Sequence, residues 1–192
     1  MSWRAGKAIL ILAWGLGTAG VVRAQQINID ISGQGDLVTV SASAEMQVDA
    51  STAWNVISDY DHLAAFIPGM RSSRVLQRDG DKLLVEQVGE FGFLFFQQLV
   101  EVKLAVVEYP SKRIVARAIG GNLREMEGRY ELENLPAGTV RLSYAGRLVP
   151  ESPLPPIIGR MVVRKVLAQQ FTAMVMEIMR RDSLAQAQSP SR

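Results

Sequence analysis

The chain has 192 residues, 48% of them apolar, which is enough for one domain with a real core and short for two. It contains no cysteine, so disulfides, thiolate metal sites, a cysteine nucleophile and a lipid-modified cysteine are excluded. Its formal charge of +2 is carried by scattered residues, without the clustered Lys and Arg on which nucleic-acid binding leans.

The first segment reads as an address rather than as part of the fold. Arg4 and Lys7 make a positive start, the stretch from Ala8 to Val22 is uncharged and mostly apolar, and Val22-Arg23-Ala24 offers compact residues at the −3 and −1 positions of a cleavage site. Cleavage after Ala24 is expected. The alternative is an uncut membrane anchor, although the stretch is shorter than the roughly 20 apolar residues a spanning helix needs. Removing residues 1–24 takes away Arg4, Lys7 and Arg23 and no acid, so the formal charge falls from +2 to −1. Export without cysteine fits the bacterial periplasm better than eukaryotic secretion. Residues 25–36 are polar and contain Gly33 and Gly35, and they read as a flexible tether.

From Leu37 the pattern has period two. Val38, Val40, Ala42, Ala44, Met46 and Val48 alternate with polar residues, as in a strand with one buried face. Asp49 and Ser51 offer N-cap oxygens for a short helix over Thr52 to Ile57, and a second short helix ends at Pro68-Gly69. Asp79-Gly80-Asp81 joins two further strands as a hairpin, and a long strand follows from Phe93 to Tyr109. After Pro110-Ser111-Lys112 comes a strand from Arg113 to Ile119. The last two strands are the clearest: Met126, Gly128, Tyr130 and Leu132 oppose glutamates and arginines, as do Val140, Leu142, Tyr144, Gly146 and Leu148 beyond the Pro136-Ala137-Gly138 turn. Alternation of this kind belongs to antiparallel sheets with one wet face.

Pro150 to Pro156 then delivers a helix of about 26 residues, apolar at Met161, Val162, Val166, Phe171, Met174, Val175 and Ile178, spanning about 39 Å. Beyond Asp182, residues 183–192 read as a disordered tail. The fold class is α+β: about seven antiparallel strands in a curved sheet, two short helices after the first strand, and one long helix over the concave face. That helix alone has enough apolar length to cover the dry face. A single helix leaves part of the concavity uncovered, which predicts a cavity.

The run Val48-Asp49-Ala50-Ser51-Thr52-Ala53-Trp54-Asn55-Val56-Ile57-Ser58-Asp59-Tyr60-Asp61, followed by Phe66-Ile67-Pro68 and the long closing helix, resembles the START-related polyketide cyclase/dehydrase and coenzyme Q-binding superfamily over most of residues 37–182. The resemblance implies a helix-grip fold. It also implies a hydrophobic ligand such as a quinone, a lipid or a polyketide, and it is associational as to function.

Candidate ligand-binding residues are those on the dry face and the closing helix: Phe96, Gln98, Met126, Gly128, Tyr130, Tyr144, Gly146, Phe171 and Met174. Tyr130, Tyr144 and Gln98 supply the few polar groups that orient a ligand head in an apolar pocket, with Tyr60 and Gln87 as further candidates, and the same groups equally bond to one another or to backbone in a plain core. Gly128 and Gly146 either enlarge the cavity or bend the strands and admit the helix. The four phenylalanines Phe91, Phe93, Phe95 and Phe96 read as core filling or as an apolar lip. His62 is the lone histidine, and a capped turn with Asp59 and Asp61 explains it. No catalytic motif, metal site or cofactor site is read. Arg160, Arg164, Lys165, Arg180 and Arg181 read as a solvated helix face, with transient contact to an anionic membrane surface as the alternative. Three functions follow: a carrier of an apolar molecule, a cyclase or dehydratase using a Tyr or carboxylate proton, and a protein-interaction module without a cavity.

Overall fold

The computed structural model describes residues 27–34, 37–93, 96–150 and 156–188, with backbone alone for 34, 91–93, 96–98, 150 and 156–161. Strand β1 (Ile27–Gln34) pairs with β2 (Leu37–Gln47), which leads into helix α1 (Ala50–Ile57) and a 3-10 turn over Tyr60–Ala65. Then come β3 (Met70–Asp79), β4 (Lys82–Phe93), β5 (Phe96–Tyr109), β6 (Arg113–Gly121), β7 (Leu123–Leu135), β8 (Thr139–Pro150) and helix α2 (Pro156–Gln188). The strands form one antiparallel sheet in the order β1-β2-β8-β7-β6-β5-β4-β3. This is the expected α+β architecture, with eight strands where seven are predicted.

The extra strand corrects the tether expected over 25–36. Ile27, Ile29 and Ile31 alternate with Asn28, Asp30 and Ser32, and Ile27 and Ile29 pack on the core while the polar residues face water. The glycines nearby obscure this period-two pattern in the sequence. Gly33 is needed for the bend into β2, because a β-carbon there would stand 2.7 Å from the Leu37 carbonyl oxygen. The tail is also corrected, since α2 continues to Gln188 instead of fraying after Asp182. Residues 183–188 are good helix formers, Ser183 Oγ donates to the Met179 carbonyl, and the Gln186 amide donates to Asp182.

Elsewhere local chemistry gives the expected elements, except that Phe93, read as the start of the long strand, ends β4 and pairs with Phe96 of β5. Asp49 caps α1 by accepting from Ser51 N at 2.7 Å. Gly80 turns the β3–β4 hairpin at φ 56°. Along β2 the inner residues are buried without exception and the outer ones are exposed, apart from a half-buried Ser43. The wet face carries ion pairs across strands, Arg141 bridging Glu45 and Glu133 at 2.7 Å each.

Packing differs between the two ends of the concave face. Near the β7–β8 turn the core is solid: Val56, Val85, Val106, Leu142, Val175 and Ile178 are its largest fully buried side chains. Phe171, Met174, Val175 and Ile178 of α2 are buried there, whereas Val162, Val163, Val166, Leu167 and Ala168, one to three turns earlier, are only half-buried. β8 shows the same gradient, from buried Val140 and Leu142 to half-buried Tyr144, Gly146 and Leu148. The C-terminal half of α2 therefore closes the sheet and its N-terminal half covers it incompletely. Among the described residues no helix is long and apolar enough to cross a membrane.

Ile178→Ala is expected to cost about 2–5 kcal/mol, because the site is fully buried and cannot collapse around the void. Val166→Ala should cost about 1 kcal/mol or less, as is usual for a half-buried position. Urea unfolding of both variants, compared through the midpoint at constant slope, checks the difference.

Candidate functional site

The half-covered end is built on β7 and β8, whose inward residues face one another in register: Met126 with Leu148, Gly128 with Gly146, Tyr130 with Tyr144 and Leu132 with Leu142. The two tyrosine rings touch, with centroids 4.8 Å apart and planes tilted by 45°. Both are half-buried and pack against the core. Leu142, two residues earlier on β8, is fully covered, so the cover over the inner face thins toward the tyrosine pair. Among the described residues neither tyrosine hydroxyl has a hydrogen-bond partner.

Burial pushes the Tyr144 hydroxyl up to about 12, and burial followed by the neighbouring Tyr144 raises Tyr130 as well. Both phenols therefore stay protonated at neutral pH and act as hydrogen-bond donors, not as bases. The glycines do not leave open space. A β-carbon on Gly128 would stand 3.0 Å from the Tyr144 hydroxyl oxygen, and one on Gly146 would stand 2.8 Å from Tyr144 Cζ, so the Tyr144 ring fills the gap that the two glycines create.

Met126 is half-buried on the same face and packs against the core. Phe171 and Met174, each 3% exposed, belong to the solid end. Phe96 and Gln98 lie on the β5 backbone opposite Phe93 and Phe91, and their side chains fall outside the described residues. Gln87 is satisfied, its amide donating to Ser73 Oγ at 3.3 Å. His62 is structural: its Nδ1 is 2.6 Å from Asp59 Oδ1 in the 3-10 turn, and Asp61 accepts from Val75 N. Among the described residues no group of three or more His, Cys, Asp or Glu is placed to hold a metal.

A hollow of about 240 Å³ lies on the opposite, polar face, where Asn28, Asp30, Arg129 and Glu131 flank the small residues Ser41 and Ser143.

Residues 46–175 match the family model described as polyketide cyclase / dehydrase and lipid transport. The chain belongs to this family. Its fold is shared with the Zhui aromatase/cyclase from a Streptomyces species (14% identity, 77% of this chain and 94% of that one, TM-score 0.64). It is shared too with a START superfamily protein from Mycobacterium smegmatis (18%, 77% and 98%, TM-score 0.61). A STAR-related lipid transfer protein from Xanthomonas axonopodis is similar over 84% of this chain and 97% of that one (11%, TM-score 0.64). No curated protein matches the sequence.

Two polar clusters anchor the solid end of this family member, and sequence reading missed both. Tyr60 and Glu108 are buried, and Glu108 Oε2 accepts from Arg78 at 3.1 Å. The Tyr60 hydroxyl and Glu108 Oε1 are buried without a hydrogen-bond partner among the described residues, and burial followed by the Glu108 charge raises the Tyr60 pKa. Glu108 continues the apolar inward parity of β5, so it reads as an isolated exception in the sequence. The second cluster ties α2 to the α1 region. Arg181 bonds Asp59 and Glu177 at 2.8 Å each, Arg180 bonds Glu177 at 2.7 Å, and Asp182 accepts from Asp49 N at 2.8 Å. Arg180 and Arg181 are thus paired rather than merely solvated; the spacing of Glu177, Arg180 and Arg181 is the signal for it.

The Arg180 hydrogen bonds, acting against burial and helped by Arg181, lower Glu177 to about 2. A depressed carboxylate stabilises the fold above its unfolded pKa of about 4.3, and that stabilisation is lost as pH falls toward 2. Thermal melts from pH 6 to 2.5 should therefore show a fall in Tm below about pH 4.5 that is shallower in Glu177→Gln.

Proposed function

We propose that the chain carries an apolar small molecule with a polar head, such as a quinone or a lipid, in the recess between β7–β8 and the N-terminal half of α2. The observation that supports this most is the half-covered pair of Tyr130 and Tyr144 on an otherwise apolar face, where the protonated Tyr130 hydroxyl is offered to a ligand acceptor. A few polar groups on an apolar face are what orient the polar head of a bound ligand. The family description and the lipid transfer protein among its structural relatives agree with a hydrophobic ligand.

A cyclase or dehydratase is the second reading, favoured by the same protonated phenols, which can polarise a ligand carbonyl. It needs a base as well. On the described inner face the buried carboxylate of β5, Glu108, is held by Arg78 at the solid end and does not serve the recess. Binding without turnover is the better reading. Export with cleavage after Ala24 completes the proposal, and the location it supplies is the periplasm.

Native mass spectrometry of protein taken from its host under mild conditions should show a bound small molecule of apolar character. After delipidation, Tyr130→Phe should weaken rebinding of a quinone by about 5- to 20-fold, the range expected for one lost hydrogen bond. Chain that neither copurifies with nor rebinds a quinone, fatty acid or phospholipid would refute the carrier reading.

A further inference from the structure

Gly128 and Gly146 are cross-strand neighbours in the interior of two central strands, on the inner face. Glycine weakens a strand interior because it brings no side chain to pack. Two of them opposite each other form a flat floor of bare backbone. Tyr144 lies on that floor: its Cε1 side is 3.1 Å from where a Gly146 β-carbon would be and its Cε2 side 3.2 Å from where a Gly128 β-carbon would be, so the ring straddles both strands. Tyr130 packs against it from the neighbouring position.

Nothing polar holds Tyr144 in this place. Its hydroxyl has no hydrogen-bond partner among the described residues, its ring is half-buried, and residues on strands commonly populate two χ1 wells. The ring is therefore a half-buried flat group resting on a glycine floor and packed against a second aromatic ring.

We propose that Tyr144 is the specificity-determining residue of the recess, its ring occupying the seat on Gly128 and Gly146 that a flat ring of the ligand takes when Tyr144 turns aside. This inference rests on the proposed carrier function and adds a shape requirement to it. The preferred ligand has a planar ring that replaces Tyr144 against Tyr130, and a straight acyl chain does not use the seat. Tyr144 acts as a competitor built into the chain, so its removal should help a planar ligand and leave a linear one unaffected.

The test uses purified, delipidated chain and two probes, menadione as a flat fused ring and palmitate as a straight chain, with circular dichroism and a thermal melt to confirm folding. Tyr144→Ala should tighten menadione by about 5-fold or more and leave palmitate within about 2-fold. Gly146→Ala places a methyl group where the rings sit and should weaken menadione by about 10-fold or more with palmitate again unchanged. Should Gly146→Ala fail to fold, Gly128→Ala, with its milder contact, should give the same selective loss. Menadione binding that is unchanged or weakened in Tyr144→Ala overturns the proposal, and so does a glycine variant that weakens both probes alike. Wild-type chain that binds palmitate and not menadione overturns this inference alone. Wild-type chain that binds neither overturns the carrier function with it.

Discussion

Burial of the C-terminal half of α2 against the concave sheet is the interaction on which the rest of the structure depends. Phe171, Met174, Val175 and Ile178 are all within 3% of full burial, and side chains of this size contribute about 1.5–3 kcal/mol each when removed from water. The ion pairs at the same end are partly exposed, with Arg181 and Asp59 at 31% and 23%, and pairs of that kind are worth about 0–1 kcal/mol. Apolar packing therefore holds the helix down. The pairs of Arg181 with Asp59 and Glu177, and the Asp182 bond to Asp49 N, fix its angle and register.

Fixing one end leaves the other free to be different. The sheet curves beneath α2, and the helix buries its inner residues fully at only one end of the concavity. The half-buried stretch from Val162 to Ala168 and the half-buried inner residues of β7 and β8 are the two sides of that mismatch. The pair Tyr130 and Tyr144 lies where solid core gives way to recess. Their raised pKa values follow from the same position, where burial penalises the phenolate.

Much of this was legible in the sequence because antiparallel strands with one wet face write their orientation as alternation. β2, β7 and β8 could be assigned with their faces, and the register of Gly128 with Gly146 and Tyr130 with Tyr144 follows once the Pro136-Ala137-Gly138 turn is placed. β1 was hidden because three isoleucines separated by polar residues are outweighed locally by Gly33 and Gly35, and their apolar face has value only after β2 is beside them. The helical extension past Asp182 was hidden because exposed Ala and Gln favour a helix without demanding one. What the glycines do was beyond sequence reasoning altogether: whether a missing side chain leaves a void depends on where a neighbouring ring rests, and Tyr144 rests on both. Likewise, Phe171 and Met174 share helical spacing with residues over the recess, and only their depth separates the solid end from the open one.

The account turns on α2 being secured at one end and loosely covering a recess at the other. Amide hydrogen exchange resolved along α2 tests that directly. Amides from 171 to 182 should exchange only through global unfolding, while those from 162 to 170 should exchange by local opening at least about 100-fold faster. Uniform, global protection along the whole of 162–182 would mean that both halves are packed alike, and the recess would have no place in the molecule.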